Sequence, residues 1–204
     1  QVVALSTTQV RALSTSAVSA LTTAQVAAIE TRDLAVMTTT QIRALTTADI
    51  QVLSTDQEAA LTTLQVSSLT STQVQALTTD AVVALSTAQV RALSTSVVPT
   101  MTTVQVQAIE TTDIAALSTS QVRSLNTAQV SVLSTDQIAA LSASAVAALS
   151  STQIGALTSA QLVAMIPSMS TTQIAALTTA QVVALSTAQI VALTTAQIRA
   201  LSTS

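Results

Sequence analysis

The sequence predicts an all-α solenoid built from short helices, one for every eight residues. Three observations carry this. Leucine or an equivalent aliphatic residue stands at every eighth position from Leu5 to Met165, and again from Met169 to Leu201. The unit runs Leu, Ser/Thr, Thr, x, Gln, Val/Ile, x, Ala, as in Leu177–Ala184, and a fixed short period marks a unit that stacks on copies of itself. Acidic and basic residues are sorted to opposite ends of that unit.

Position 1 cannot lie on one continuous helix. Eight residues at about 100° each leave a drift of about 80° per unit, so a leucine stripe would wind out of the core. Seven- or eleven-residue periods hold a seam, and eight does not. Position 2 is Ser or Thr almost throughout, with Asn126 once, and these residues cap helix N-termini. Position 5, three residues on, is Gln at Gln25, Gln41, Gln73, Gln181 and Gln189, which completes a capping box. Asp33, Asp49 and Asp113 fit the box less well there but still favour a helix start. Positions 6 and 8, Val/Ile and Ala, are expected to join Leu in the core, with the small Ala allowing close backbone approach.

Charge supports the same direction of travel. Of the 9 acids, Glu30, Glu110, Asp33, Asp49, Asp56, Asp80, Asp113 and Asp136 lie at positions 2, 4 or 5. Of the 6 arginines, Arg11, Arg43, Arg91, Arg123 and Arg199 lie at position 7. Negative charge at the start and positive charge at the end match a helix dipole. A helix this short is unstable alone, so stability has to be cooperative along the array. The rival fold is a β-solenoid with ladders of stacked Thr, since Thr and Val favour strands. Against it, one Gly, one Asn and two Pro supply few turn residues, and Ala and Gln favour helix.

The pattern breaks in three places. Glu58 takes a position-6 slot and reads as an end-exposed or snorkelling side chain. Pro99, at position 7 of Leu93–Thr100, removes a donor and leaves that octad one turn or a kink. At 165–169, Met165-Ile166-Pro167-Ser168 forms a four-residue half-unit before Met169, read as a local bend or longer connection within a single array spanning 1–204. A second period of 80 residues relates Arg11 to Arg91, Ala28 to Ala108, Arg43 to Arg123 and Val52 to Val132. Either a ten-octad block was duplicated or ten octads complete a whole number of superhelical turns.

Composition removes most chemistry. The chain has no His, Cys, Lys, Trp, Tyr or Phe, is 49% hydrophobic and 7% charged, and carries a net charge of −3. No disulfide and no ordinary transition-metal site is available. The hydrophobic fraction argues against disorder. Mean hydropathy is +0.62, yet Ser, Thr and Gln interrupt every octad, so no apolar run of about 18 residues spans a bilayer. No signal peptide opens the sequence. Ser and Thr lack an activating partner, and the carboxylate pairs Glu30/Asp33 and Glu110/Asp113 read as dipole stabilisers. Phosphate and calcium loops are excluded by a single Gly. The expectation is no enzyme, with no catalytic, cofactor-binding or metal residue and no cofactor.

The octad Leu177–Ala184, Leu-Thr-Thr-Ala-Gln-Val-Val-Ala, resembles the first helix of transcription-activator-like effector repeats. That likeness stops after one octad, without their second helix, base-reading loop or basic residues. With a pI near 4.5 and no Lys, nucleic-acid binding is not expected. Over its whole length the chain is similar to the Thr/Ala/Gln/Leu octad arrays of very large bacterial proteins. The resemblance implies a secreted or surface location and a structural role as fibre, stalk or filament, with self-association and no membrane insertion. The alternative is a ligand-binding array presenting Thr rows to ice or a surface polysaccharide. Gln1 stands at position 5 and Ser204 at position 4, so Leu-Ser-Thr-Ser joined to Gln-Val-Val-Ala makes a complete octad. The expectation is a segment of a longer array or a polymer whose end octads are covered by adjoining copies.

Overall fold

The computed structural model describes residues 4–183 and 185–201. Among them are 23 α-helices, two 3-10 turns (Val98–Thr100 and Ile166–Ser168) and no strand. The helices are one per octad, five to seven residues long. The β-solenoid, and with it a flat β face of stacked Thr, is therefore not the fold.

The local logic is uniform and shown by Thr39–Ala44. Thr38 is extended (φ −73, ψ 158), and its hydroxyl accepts the Gln41 backbone N–H at 3.2 Å. Gln41 Oε1 in return accepts the Thr38 backbone N–H at 2.7 Å and its hydroxyl at 3.1 Å. The helix closes when Leu45 becomes extended and its N–H donates to the Ile42 carbonyl at 3.2 Å. Two consecutive extended residues, Leu at position 1 and Ser/Thr at position 2, thus make the bend between helices. No described residue has positive φ, which explains why the array needs almost no Gly.

The chain falls into two compact units, Gln1–Ile109 and Glu110–Ser204. In the first, each helix packs on the third one following. Thr7–Ala12 meets Thr31–Val36, Thr15–Ser19 meets Thr39–Ala44, and Thr55–Ala59 meets Thr79–Ala84. The second unit repeats the rule, pairing Thr135–Ala140 with Ser159–Met165 and Thr171–Ala175 with Thr195–Leu201. Position-6 residues from Val10 to Ile174 are at most 3% exposed, and position-1 residues from Ile29 to Leu177 at most 8%. Each such side chain contributes roughly 1.5–3 kcal/mol on burial. Position-8 Ala is less enclosed than expected: Ala44, Ala84 and Ala116 are half-buried and Ala12 is exposed. The close approach happens at position 5 instead, where Gln is buried.

The breaks resolve into substitutions within the same coil. In Leu93–Thr100 the α-helix is replaced by the 3-10 turn Val98–Thr100, with Pro99 in its first turn. The half-unit is neither a bend nor a connection. Ser159–Met165 runs directly into the 3-10 turn Ile166–Ser168, and Met169 resumes the extended position-1 conformation. Ile166 is 1% exposed and its carbonyl accepts the Met169 N–H at 3.2 Å, the roles of position 6. The half-unit is an octad that has lost positions 2–5. Glu58 is 1% exposed, so it neither lies at an exposed end nor snorkels.

Candidate functional site

The residue type that distinguishes this chain chemically is the position-5 glutamine. Its Oε1 is consumed locally by the capping box, which leaves the amide Nε2 to find an acceptor inside the coil. In the first unit Gln41 Nε2 donates to the carbonyls of Val10 at 2.9 Å and Leu13 at 2.8 Å. Gln65 reaches Leu34 and Met37, both at 2.8 Å, and Gln105 reaches Val74 at 2.8 Å and Leu77 at 2.7 Å. In the second unit Gln153 reaches Val122 at 2.9 Å and Leu125 at 2.8 Å.

Each partner lies 31 and 28 residues earlier, at position 6 and the following position 1 of the octad four units back. Helix packing is to the third neighbour and amide bonding to the fourth, so a coil takes up between three and four octads within each unit. The position-6 carbonyl, which already accepts the next position-1 N–H, takes the amide as a second donor, and the position-1 carbonyl lies just past the helix end, where intrahelical partners run out. One side chain therefore satisfies a helix start in its own octad and a helix end in the coil below. With Gln at 1–6% exposure, a charged or apolar residue of similar size would fail one of the two tasks.

Across the half-unit the same bonds persist with sequence separations of 27 and 24. Gln173 bonds Val146, and Gln181 bonds Ile154 at 2.9 Å and Leu157 at 3.0 Å. The half-unit thus counts as a full step of the coil. One amide is stranded by it. Gln189 Nε2 is buried without a hydrogen bond, because its acceptors in phase would be Leu162 and Met165. Met165, the position-1 acceptor, is helical (φ −101, ψ −23) rather than extended.

Position 5 lacks a side-chain amide at Ala17, Asp33, Asp49, Ala81 and Val97 in the first unit and at Asp113 and Ala145 in the second. Asp49 makes the cap, its Oδ2 accepting the Thr46 N–H at 2.9 Å, but has no N–H to send to another coil. Glu30 and Glu110 are N-caps without a side-chain cap bond, and Asp33 and Asp113 lie in the first turn, as dipole partners should. Arg32 Nε pairs with Glu30 at 2.8 Å and lies 3.8 Å from Asp33 Oδ1, which accepts no hydrogen bond.

Arg11, Arg43, Arg91, Arg123 and Arg199 all fall in the last turn of their helices. Two open clefts lie on the surface. One of about 360 Å³ is lined by Arg43, Ser67, Thr70 and Ser94 among others, and one of about 410 Å³ by Leu177, Thr178, Thr179, Val182 and Leu201. Among the described residues no group of three acids could hold a metal ion, and no helix is long and apolar enough to cross a membrane.

Sequence reasoning placed Gln in the cap and missed its second bond. A signal was present: Glu makes the same capping box, yet no position 5 in the chain is Glu. Only an uncharged side chain with an N–H at the same end does both jobs.

No curated protein matches the chain. The ALTTAQ repeat matches residues 1–28, 26–63, 66–103, 106–143, 138–167 and 166–203. Its starts at 26, 66 and 106 are five octads apart, longer than one coil and half the 80-residue period. With matches over nearly its entire length, the chain belongs to the ALTTAQ-repeat family.

Proposed function

We propose that this repeat array is a structural element, a fibre, stalk or filament segment at the surface of a bacterium, extended by association with octads of its own kind. The observation that carries the reading is the two-ended use of glutamine. Every coil offers carbonyl acceptors on one edge and amide donors on the other, so the interaction that holds coils together is also one that extends them. Gln9 and Gln25 use Oε1 in their caps, while their Nε2 groups donate to no acceptor among the described residues. In the last octads the position-6 residues Ile190 and Ile198 are 37% and 40% exposed, and Leu177, Val182 and Leu201 line an open cleft. Octads of the same kind, further along one chain or in another copy, complement both edges.

A low charge and the commitment of most position-2 hydroxyls to caps suit a passive scaffold better than catalysis. The test is light scattering and negative-stain microscopy of the 204-residue stretch over a wide concentration range. End-to-end polymers are expected, and they shorten when Gln9 and Gln25 are both replaced by Leu. A stretch that stays monomeric at high concentration overturns the proposal of self-association. Antibody labelling of intact cells tests the surface location separately.

A further inference from the structure

Glu58 is the one acid at position 6, in the aliphatic core of the first unit. Its helix, Thr55–Ala59, packs against both Thr31–Val36 and Thr79–Ala84. The side chain is 1% exposed and its Oε1 has no hydrogen-bond partner. The backbone around it is fully committed: its N–H donates to Ser54, and its carbonyl accepts from Leu61 N–H and Gln89 Nε2. A carboxylate here has no donor for its Oε1 and almost no exposure, and an unpaired buried charge is costly. The carboxylic acid form avoids that cost.

The surrounding charges favour the acid form as well. Thr31–Val36 and its cap bring Glu30, Arg32 and Asp33, and Arg32 is engaged by Glu30. Thr79–Ala84 brings Asp80, the helix before brings Asp49, and Asp56 shares the helix of Glu58. Arg91 lies on the helix of Gln89. Of these, Asp80 is the charge that bears on Glu58, and it repels the ionised form.

We propose that Glu58 makes the stack of Thr31–Val36, Thr55–Ala59 and Thr79–Ala84 a proton-controlled joint, closed while the carboxyl is protonated and loosened when it ionises. Burial first, and Asp80 second, push this carboxyl up from 4.5 to about 7. The unfolded or opened segment releases its proton near 4.5, whereas the closed one keeps it to about 7. The closed form therefore binds the extra proton between those values. Its stability falls as pH rises through that window, and the loss is complete above about 7. Because repeat arrays are held by nearest-neighbour contacts, the loosening stays local to these coils.

The experiment is amide hydrogen exchange on the whole 204-residue chain between pH 5 and 8, corrected for intrinsic exchange. Residues 55–61 and 79–84 are compared with the reference helix Thr135–Ala140. Each pKa unit of difference between closed and open forms is a tenfold change in opening. Protection in the two segments is expected to fall at least tenfold relative to the reference as pH rises. Glu58→Gln and Glu58→Val both abolish the pH dependence, and Val, the residue type of neighbouring octads, secures a folded comparison. Asp80→Asn moves the midpoint to lower pH. A pH-independent ratio in the natural sequence, or the same fall in Glu58→Gln, overturns the proposal.

Discussion

The side-chain amide of Gln41 donates to the main-chain carbonyl of Leu13 at 2.8 Å, while its oxygen accepts the backbone N–H of Thr38 at 2.7 Å. A single side chain ties the start of one short helix to the end of another, 28 residues earlier in the chain. An isolated six-residue helix is unstable because its terminal groups outnumber its internal bonds. Gln removes that deficit at both ends at once. This is why an array of such short helices, without aromatic residues or disulfides, forms a core.

The first prediction separates the two bonds. Gln65→Glu keeps an acceptor for the Thr62 N–H but directs a carboxylate at the carbonyls of Leu34 and Met37. Loss of the donor leaves the Leu34 carbonyl with only the Met37 N–H and removes the donor to the Met37 carbonyl, worth about 1–3 kcal/mol, and the buried charge adds to it. Gln9→Glu, whose Nε2 has no acceptor, is expected to cost under about 0.5 kcal/mol. Urea melts of the two variants check this, and equal losses would mean that the inter-coil bond contributes nothing.

Inside and outside are tested by a second pair. Leu117 is 7% exposed and Arg123 is exposed in the last turn of its helix. Leu117→Asp buries an unpaired charge and is expected to cost several kcal/mol, on the order of 3 or more. Arg123→Ala removes a favourable dipole interaction of about 0.3–1 kcal/mol. Comparable losses in denaturant melts would reverse the assignment of faces.

The octad, its cap and its polarity were legible because they are local: Ser/Thr at position 2, Gln at position 5 and Arg at position 7 each act within a few residues. What was not legible depends on the size of the coil. The acceptors of Gln41 lie four octads away, and no single octad states how many of its neighbours make a turn. Glu58 was misplaced for a related reason. Position 6 is aliphatic in every other full octad, and an acid there reads as exposed unless the packing on both sides is known. Ile166 was read as part of a connection because the half-unit drops the capping residues that mark an octad, while keeping the position-6 carbonyl and side chain that the coil uses.

A third prediction fills a gap in the ladder. Ala145 is capped by Ser142, whose hydroxyl accepts its N–H at 3.2 Å, but sends nothing to another coil. Ala145→Gln is expected to complete the capping box and reach the carbonyls of Ile114 and Leu117, raising stability by about 0.5–1.5 kcal/mol. A loss in thermal melts would show that neighbouring side chains have closed around the methyl group.

The last prediction repairs the half-unit. Inserting Ser-Thr-Ala-Gln between Met165 and Ile166 restores a full octad, with Pro at position 7 as in Leu93–Thr100. The inserted residues supply the missing cap and allow Met165 to become extended. Gln189 then has both acceptors in phase, so its stranded Nε2 is satisfied at a gain of about 1 kcal/mol. In the insertion background Gln189→Met should cost more than in the natural sequence, where only the cap bond from the Ser186 N–H to its Oε1 is lost. The double-mutant comparison isolates this coupling from any general effect of a longer chain. If Gln189→Met costs the same in both backgrounds, the half-unit does not break the ladder, and the account of Met165 as the residue that strands Gln189 is wrong.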